Sequence, residues 1–176
     1  MSQTQQGGPA ADPRPVDERT YAWVEPAGVL PLLASLPGED YLRGIGDGTV
    51  PPPPIAMTLG FGPLRVEDGE VSVELDPPPF HDNPIGTMHG GVVSALLDTV
   101  TGCAVHATLP AGTGYTSLDI SVRFVRAITS STGTIRATGR VVHRGRRTAV
   151  AEARLTDTQG RLLASATSTC LVMEPS

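Results

Sequence analysis

The chain has 176 residues, 39% of them hydrophobic, and 18 acids against 13 basic residues give a formal net charge of −5. This is one domain's worth of sequence, with enough apolar residues for a single core. All 13 basic residues are arginine, so a Schiff-base lysine and a Walker-type phosphate loop are excluded outright.

Residues 1–20 are rich in Gln, Gly, Pro and charge and lack the apolar core of a signal peptide. A disordered tail and a cytoplasmic location are expected. Residues 21–54 read as an N-terminal extension. Tyr21 and Trp23 begin the ordered part, and Leu30 to Ile45 suggest short helical pieces interrupted by Pro31, Pro37 and Gly38. Gly46-Asp47-Gly48 ends them, and Pro51 to Pro54 form a stiff extended connector. A single globular domain is expected over residues 55–176.

Ile55 to Leu64 reads equally as a helical turn or a strand. Glu67-Asp68-Gly69 is a turn, and Val71, Val73 and Leu75 alternate as a strand closed by Pro77 to Pro79. The stretch from His89 to His106 is apolar almost all round and carries one charge, Asp98. Such a helix is normally buried, and it is too short an apolar run to be expected as a membrane span. After the loop Pro110-Ala111-Gly112, Leu118, Ile120, Val122 and Phe124 alternate with Ser117, Asp119, Ser121 and Arg123. Further strands are expected around Ile135 to Val141, Ala149 to Leu155 and Leu162 to Met173, joined by Arg144-Gly145-Arg146 and Thr158-Gln159-Gly160. One strand, one long buried helix and four strands make an α+β layout, with the helix lying on an antiparallel sheet. Cys103 and Cys170 both lie in apolar segments, where buried thiols are expected in place of a disulfide; no metal-ligand spacing exists.

The charge is unevenly spread. Residues 123–161 carry nine Arg against Glu152 and Asp157, whereas residues 1–122 carry four Arg against 15 acids. With little aromatic interleaving, the basic block fits a small polyanion better than nucleic acid. Solvated arginines on strand faces are an equal alternative.

Asp98 is the focus of the chain. A carboxylate inside a buried helix is costly unless a functional site compensates. His89-Gly90-Gly91 opens the same helix, where unpaired N–H groups and a partial positive charge can hold an oxyanion.

Asn83-Pro-Ile-Gly-Thr-Met-His89-Gly90-Gly91, the following Leu-Leu-Asp98 and the strand motif Ser117-Leu118-Asp119 closely resemble the hotdog-fold acyl-CoA thioesterases, in particular their phenylacetate-pathway (PaaI-like) branch. The likeness covers roughly residues 55–173, and Ala127 stands where the family often has Pro. The resemblance implies a hotdog fold, a long central helix wrapped by an antiparallel β-sheet. It implies hydrolysis of an acyl- or aryl-acyl-CoA, with coenzyme A as part of the substrate and neither cofactor nor metal. By the same resemblance, Asp98 is the general base or nucleophile, and the Gly90 N–H is the oxyanion donor. Asn83, His89 and Ser117 complete the catalytic set, while Phe124, Arg126, His143, Arg144 and Arg146 meet coenzyme A. About 12 Å of helical rise separates Gly90 from Asp98. The resemblance therefore implies a site shared across a homodimer or homotetramer, with no membrane or nucleic-acid partner.

Structural readings stand beside these roles: His89 as a helix cap, Asn83 as a turn residue, Ser117 as polar-face filler. Thr99, Thr101 and Cys103 read as packing, and Ser94, Ala95 and Gly102 as room near the site. Two other hotdog functions compete, a non-catalytic acyl-CoA-binding module and a dehydratase or hydratase.

Overall fold

The computed structural model describes residues 16–173, so most of the expected tail lies outside the described residues. The extension forms α1 (Leu30–Ser35) and α2 (Gly38–Asp47). Pro31 sits in the first turn of α1, where its missing N–H costs nothing, so it begins that helix instead of interrupting it. The ambiguous stretch divides in two. Pro54–Leu59 is helix α3, ended by left-handed Gly60, and Leu64–Glu67 is strand β1.

Strand β1 departs from the expectation of a single strand before the long helix. Asp68 and Gly69, with φ of 51° and 79°, make a two-residue hairpin turn into β2 (Glu70–Leu75). With four residues, β1 is too short for its alternation to stand out in the sequence.

The long helix α4 spans Gly90–Ala107 and is followed by β3 (Gly114–Phe124), β4 (Ile135–Arg144), β5 (Thr148–Asp157) and β6 (Leu162–Met173). All six strands join one antiparallel sheet in the order β1-β2-β4-β5-β6-β3. Strands β4, β5 and β6 are neighbours in sequence and in space. β3 is not: it crosses to the far side of β6 and forms one edge of the sheet. A long helix lying on an antiparallel sheet is the hotdog arrangement.

Helix α4 packs against β2 through β6. Leu96, Leu97, Val100 and Val105 are fully buried there, facing Val71, Ile135, Ala151 and Leu155 from the sheet. By length and composition alone α4 is apolar enough to cross a membrane. Its packing on five strands accounts for that composition as a core helix. The helix sits unusually close to β4 at Gly139, where a Cβ would lie 2.3 Å from the Val100 carbonyl oxygen. The alternation Ala149, Ala151, Ala153, Leu155 on β5 is buried throughout, and these small residues leave room for the helix.

Strand β3 departs from simple alternation. Its pairing with β6 shifts between Ser117 and Asp119, making Leu118 the extra residue of a bulge. The bulge changes which parity faces α4. Tyr115 and Ser117 meet the helix before it, whereas Ile120 and Val122 pack on the core after it. Leu118, expected in register with Ile120, is instead 58% exposed.

Residues ahead of α1 fold back over α3. Arg19 donates to the carbonyls of Met57 (2.8 Å) and Thr58, and its guanidinium lies 4.1 Å from the centre of the Phe80 ring. A cation on the last carbonyls of a helix satisfies otherwise unpaired acceptors.

Gly139→Val would force a side chain into the α4 backbone. The expected result is a loss of about 1–3 kcal/mol of stability, read from the midpoint of urea unfolding. An unchanged midpoint would show that helix and sheet separate more freely than this packing allows.

Candidate active site

The N-terminus of α4 leaves one backbone donor exposed. His89 is the N-cap: its Nδ1 accepts the Gly91 N–H at 2.9 Å, and its carbonyl accepts from Val92 and Val93 at 3.0 and 3.3 Å. Only the Gly90 N–H of the first turn has no acceptor among the described residues. The cap reading of His89 is therefore realised through Nδ1.

A cleft of about 340 Å³ opens beside Gly90, lined in part by Thr87, Phe124, Arg126 and Leu163. A Cβ on Gly90 would stand 3.1 Å from the Phe124 ring. Glycine here keeps both the donor and the cleft accessible. Phe124 and Arg126 thus lie at the Gly90 end of the molecule.

Asn83 stands just ahead of the helix. Its side-chain oxygen accepts from the Ile85 N–H at 3.0 Å, and its amide nitrogen donates to Thr87 Oγ1 at 2.8 Å. Backbone bonds Asn83 N–H to Thr87 O and Gly86 N–H to Asn83 O close the same loop. Both ends of the amide are committed to the turn, which makes Asn83 a residue that shapes the loop ahead of Gly90. The sequence carries no signal for Thr87, its partner, because a threonine four residues after a loop asparagine is too common a pattern.

Asp98 is half-buried, about two turns further along α4. Ser117 Oγ donates to Asp98 Oδ1 at 3.0 Å, so the strand residue expected beside the acid is there. The β3 bulge is what turns Ser117 toward the helix. Cys103 lies close enough to Asp98 for the carboxylate to raise its pKa, and burial raises it more; together they push it to about 12. The thiol therefore stays protonated at neutral pH and supplies no nucleophile. Both cysteines are free, Cys170 buried and Cys103 half-buried. Gly102 does not leave open room, because a Cβ there would meet the Tyr115 ring at 3.0 Å.

His143, Arg144 and Arg146 are exposed around the β4–β5 turn, which lies beside the C-terminal end of β6. Arg126 is at the other end, its N–H bonded to the Leu163 carbonyl at 3.0 Å. Leu163 and Leu171 are eight residues apart on β6, about 26 Å along a strand. Within one chain the expected coenzyme A residues therefore form two groups, one beside Gly90 and one near the Asp98–Ser117 end. Of the other arginines in the basic block, Arg136 and Arg140 pair with Glu74 and Glu152, and Arg161 pairs with Asp157.

Two buried histidines flank this region. His81 and His106 are 3% and 6% exposed, and burial lowers the pKa of each below its ordinary value. At His81, Arg19 adds to the effect of burial, while the Leu59 carbonyl and Asp82 oppose it. Because the unfolded chain binds these protons more readily, stability is complete above the unfolded histidine pKa of about 6.5 and falls as pH drops below it. Melting temperature is expected to decline between pH 7.5 and 5.5, and less so in His106→Gln. Equal declines in both proteins would remove His106 from this account.

Residues 85–164 match the thioesterase superfamily. The phenylacetic acid degradation-related protein of Ralstonia eutropha JMP134 is 32% identical, with a TM-score of 0.67 over 74% of this chain and 98% of that one. A Streptococcus mutans protein solved bound to acetyl-CoA is 28% identical, with a TM-score of 0.58 over 66% of this chain and 91% of its own. The Escherichia coli PaaI protein, at 19% identity, shares the fold, with a TM-score of 0.66 over 78% of this chain and 97% of its own. None of the curated proteins matches the chain.

Proposed function

The chain belongs to the thioesterase superfamily, and from that premise we propose that it hydrolyses an acyl-CoA thioester at a site shared by two subunits. The observation that carries the proposal is the Asp98 carboxylate, held by Ser117 on a helix whose first N–H is left free.

In this reading the thioester carbonyl points at Gly90. Its N–H, reinforced by the positive end of the helix, stabilises the negative charge that develops on the carbonyl oxygen. Asp98 takes a proton from water as that water attacks the carbonyl carbon. Collapse of the tetrahedral intermediate breaks the C–S bond, and the proton passes to the departing coenzyme A sulfur. A direct attack by Asp98, giving a transient anhydride that water then opens, uses the same groups. Ser117 fixes the carboxylate, His89 and Asn83 hold the backbone that presents Gly90, and the bound acetyl-CoA of the Streptococcus mutans relative supports the ligand class.

Within one subunit Gly90 and Asp98 are too far apart to meet the same carbonyl, since about 12 Å of helix separates them. Strand β3 supports a two-subunit site. It is an edge of the sheet, it is largely exposed, and it displays Leu118, Phe124 and Val125 at its surface or just beyond its end. Such edges are normally covered. An antiparallel pairing of β3 with the β3 of a second copy, centred between Ile120 and Ser121, would set Ser117 opposite the other chain's Phe124. Asp98 would then face a second Gly90, and the two arginine groups of the coenzyme A set would come together. Arg126 and Arg146 suit its phosphates, because guanidinium binds phosphate in a bidentate manner.

The test is thiol release from a panel of acyl-CoAs. Asp98→Ala is expected to lower kcat by roughly 10²–10⁴, the range for a positioned acid or base. Ser117→Ala removes a hydrogen bond to a charged group and is expected to cost about 10- to 100-fold. If the wild type binds acyl-CoA yet releases thiol from no member of the panel, the enzyme reading falls and a binding module replaces it. In a mixture of inactive Asp98→Ala and inactive Gly90→Val chains, partial recovery of activity is expected, since mixed dimers contain one intact site.

A further inference from the structure

The chain ahead of α4 folds into a small two-strand ladder. The Asn83 N–H donates to the Thr87 carbonyl and the His89 N–H to the His81 carbonyl, each at 2.8 Å. Asp82 pairs with Met88 between them. The first arm leaves a short helical turn, Pro79–His81, whose one buried side chain is His81. The last bond of the ladder is therefore made by the carbonyl of a buried histidine, and the residue after its partner is Gly90.

The His81 ring is buried, and neither of its nitrogens has a hydrogen-bond partner among the described residues. Buried polar atoms are normally paired, so a ring left this way calls for a reason. Phe80 meets it edge-on with ring centres 4.6 Å apart, and Arg19 covers the Phe80 ring in turn. Burial is the strongest influence on a proton at His81, and it opposes one. The Leu59 carbonyl at the end of α3 favours the proton, Arg19 opposes it and Asp82 favours it. A neutral ring packs where it is. A charged one has two donors, and a buried charge is costly unless paired. It is drawn toward the Leu59 carbonyl, Asp82 or water, and its own backbone carbonyl moves with it.

We propose that His81 is a positioning residue and proton switch for the Gly90 N–H: its neutral ring anchors the ladder that presents the donor, and its protonated ring releases that ladder. The effect on turnover rests on the thioesterase reading above. Histidine is the side chain suited to such a switch near neutral pH.

The experiment measures kcat and KM for an acyl-CoA between pH 8 and pH 5 in the wild type, His81→Phe, Arg19→Gln and Asp82→Asn. Each profile is normalised to its own value at pH 8. Phenylalanine keeps a ring in place and takes no proton. Asp98 and His89 titrate in both proteins, so the difference between the two profiles isolates His81. The wild-type kcat is expected to fall below the ordinary histidine pKa of about 6.5, and finally about 10-fold more per pH unit than in His81→Phe. The loss falls on kcat and not on KM, because an oxyanion donor acts in the transition state. Removing the opposing cation in Arg19→Gln moves the acid limb to higher pH, and removing the favouring carboxylate in Asp82→Asn moves it lower. A His81→Phe profile that overlays the wild type, or limbs of Arg19→Gln and Asp82→Asn that do not separate in that order, would overturn the switch. If His81→Phe fails to fold, the order of the other two limbs decides alone.

NMR of the labelled protein tests the switch without turnover, by following the His81 ring and the Gly90 amide through the same titration. The Gly90 signal is expected to shift with the midpoint of the His81 ring. If it does so in a protein that releases thiol from no acyl-CoA, the switch stands and the hydrolase falls. A Gly90 amide indifferent to the His81 midpoint would overturn the switch while hydrolysis stands.

Discussion

Helix α4 must be buried along its apolar sides, and the rest of the molecule is arranged to satisfy that requirement without closing its first turn or covering its single acid. Eighteen residues with one carboxylate cannot sit at a surface stably, so five strands lie against them. Close approach is possible because the facing strands carry Gly139, Ala149, Ala151 and Ala153 where larger side chains would hold the helix off. A single glycine and a run of alanines thus fix the depth of the helix, and with it the position of both ends of the candidate site.

Capping and chemistry share the same atoms at the start of that helix. A helix begins with N–H groups that have no intrahelical partner. His89 absorbs those of Gly91, Val92 and Val93 through one ring nitrogen and one carbonyl, and the remaining donor belongs to a residue without a side chain. Stability of the helix terminus and exposure of one polarised N–H are therefore two results of one arrangement. The Asn83–Thr87 loop extends the same logic outward, since an amide satisfied at both ends holds the approach to Gly90 in one shape.

Strand β3 does two things that pull against each other. Its bulge breaks the regular ladder with β6 to deliver Ser117 to Asp98, and its outer edge is left without a strand neighbour in the sheet. An edge displaying Leu118 and Phe124 leaves apolar side chains in water, which the proposed pairing with a second copy would relieve. The separation of Gly90 from Asp98, and of Arg126 from Arg146, carries the same message from the polar side. The N-terminal region covers another flank of the helix, with α3 pinned by Arg19 over an apolar space that Thr99 and Cys103 also line.

The sequence by itself determined what depends on neighbours along the chain. The apolar run of α4, its interruption at Asp98, the His89-Gly90-Gly91 opening, the alternation of β5 and the turns at Asp68-Gly69 and Gly160 all follow from local spacing, and each is visible there. The likeness to hotdog thioesterases added the partnership of Ser117 with Asp98. Tertiary structure decided what depends on pairing between distant segments. β1 is too short to announce itself, β3 crosses to β6 because sheet order is set by packing and not by sequence adjacency, and the bulge at Leu118 reverses an alternation that read as regular. The filling of the space beside Gly102 by Tyr115, the closure of Asn83 on Thr87 and the apolar cavity under α3 belong to the same class. Hydrophobic period and turn chemistry act over a few residues and are written locally, whereas the fit of one surface on another is fixed only when the whole core closes.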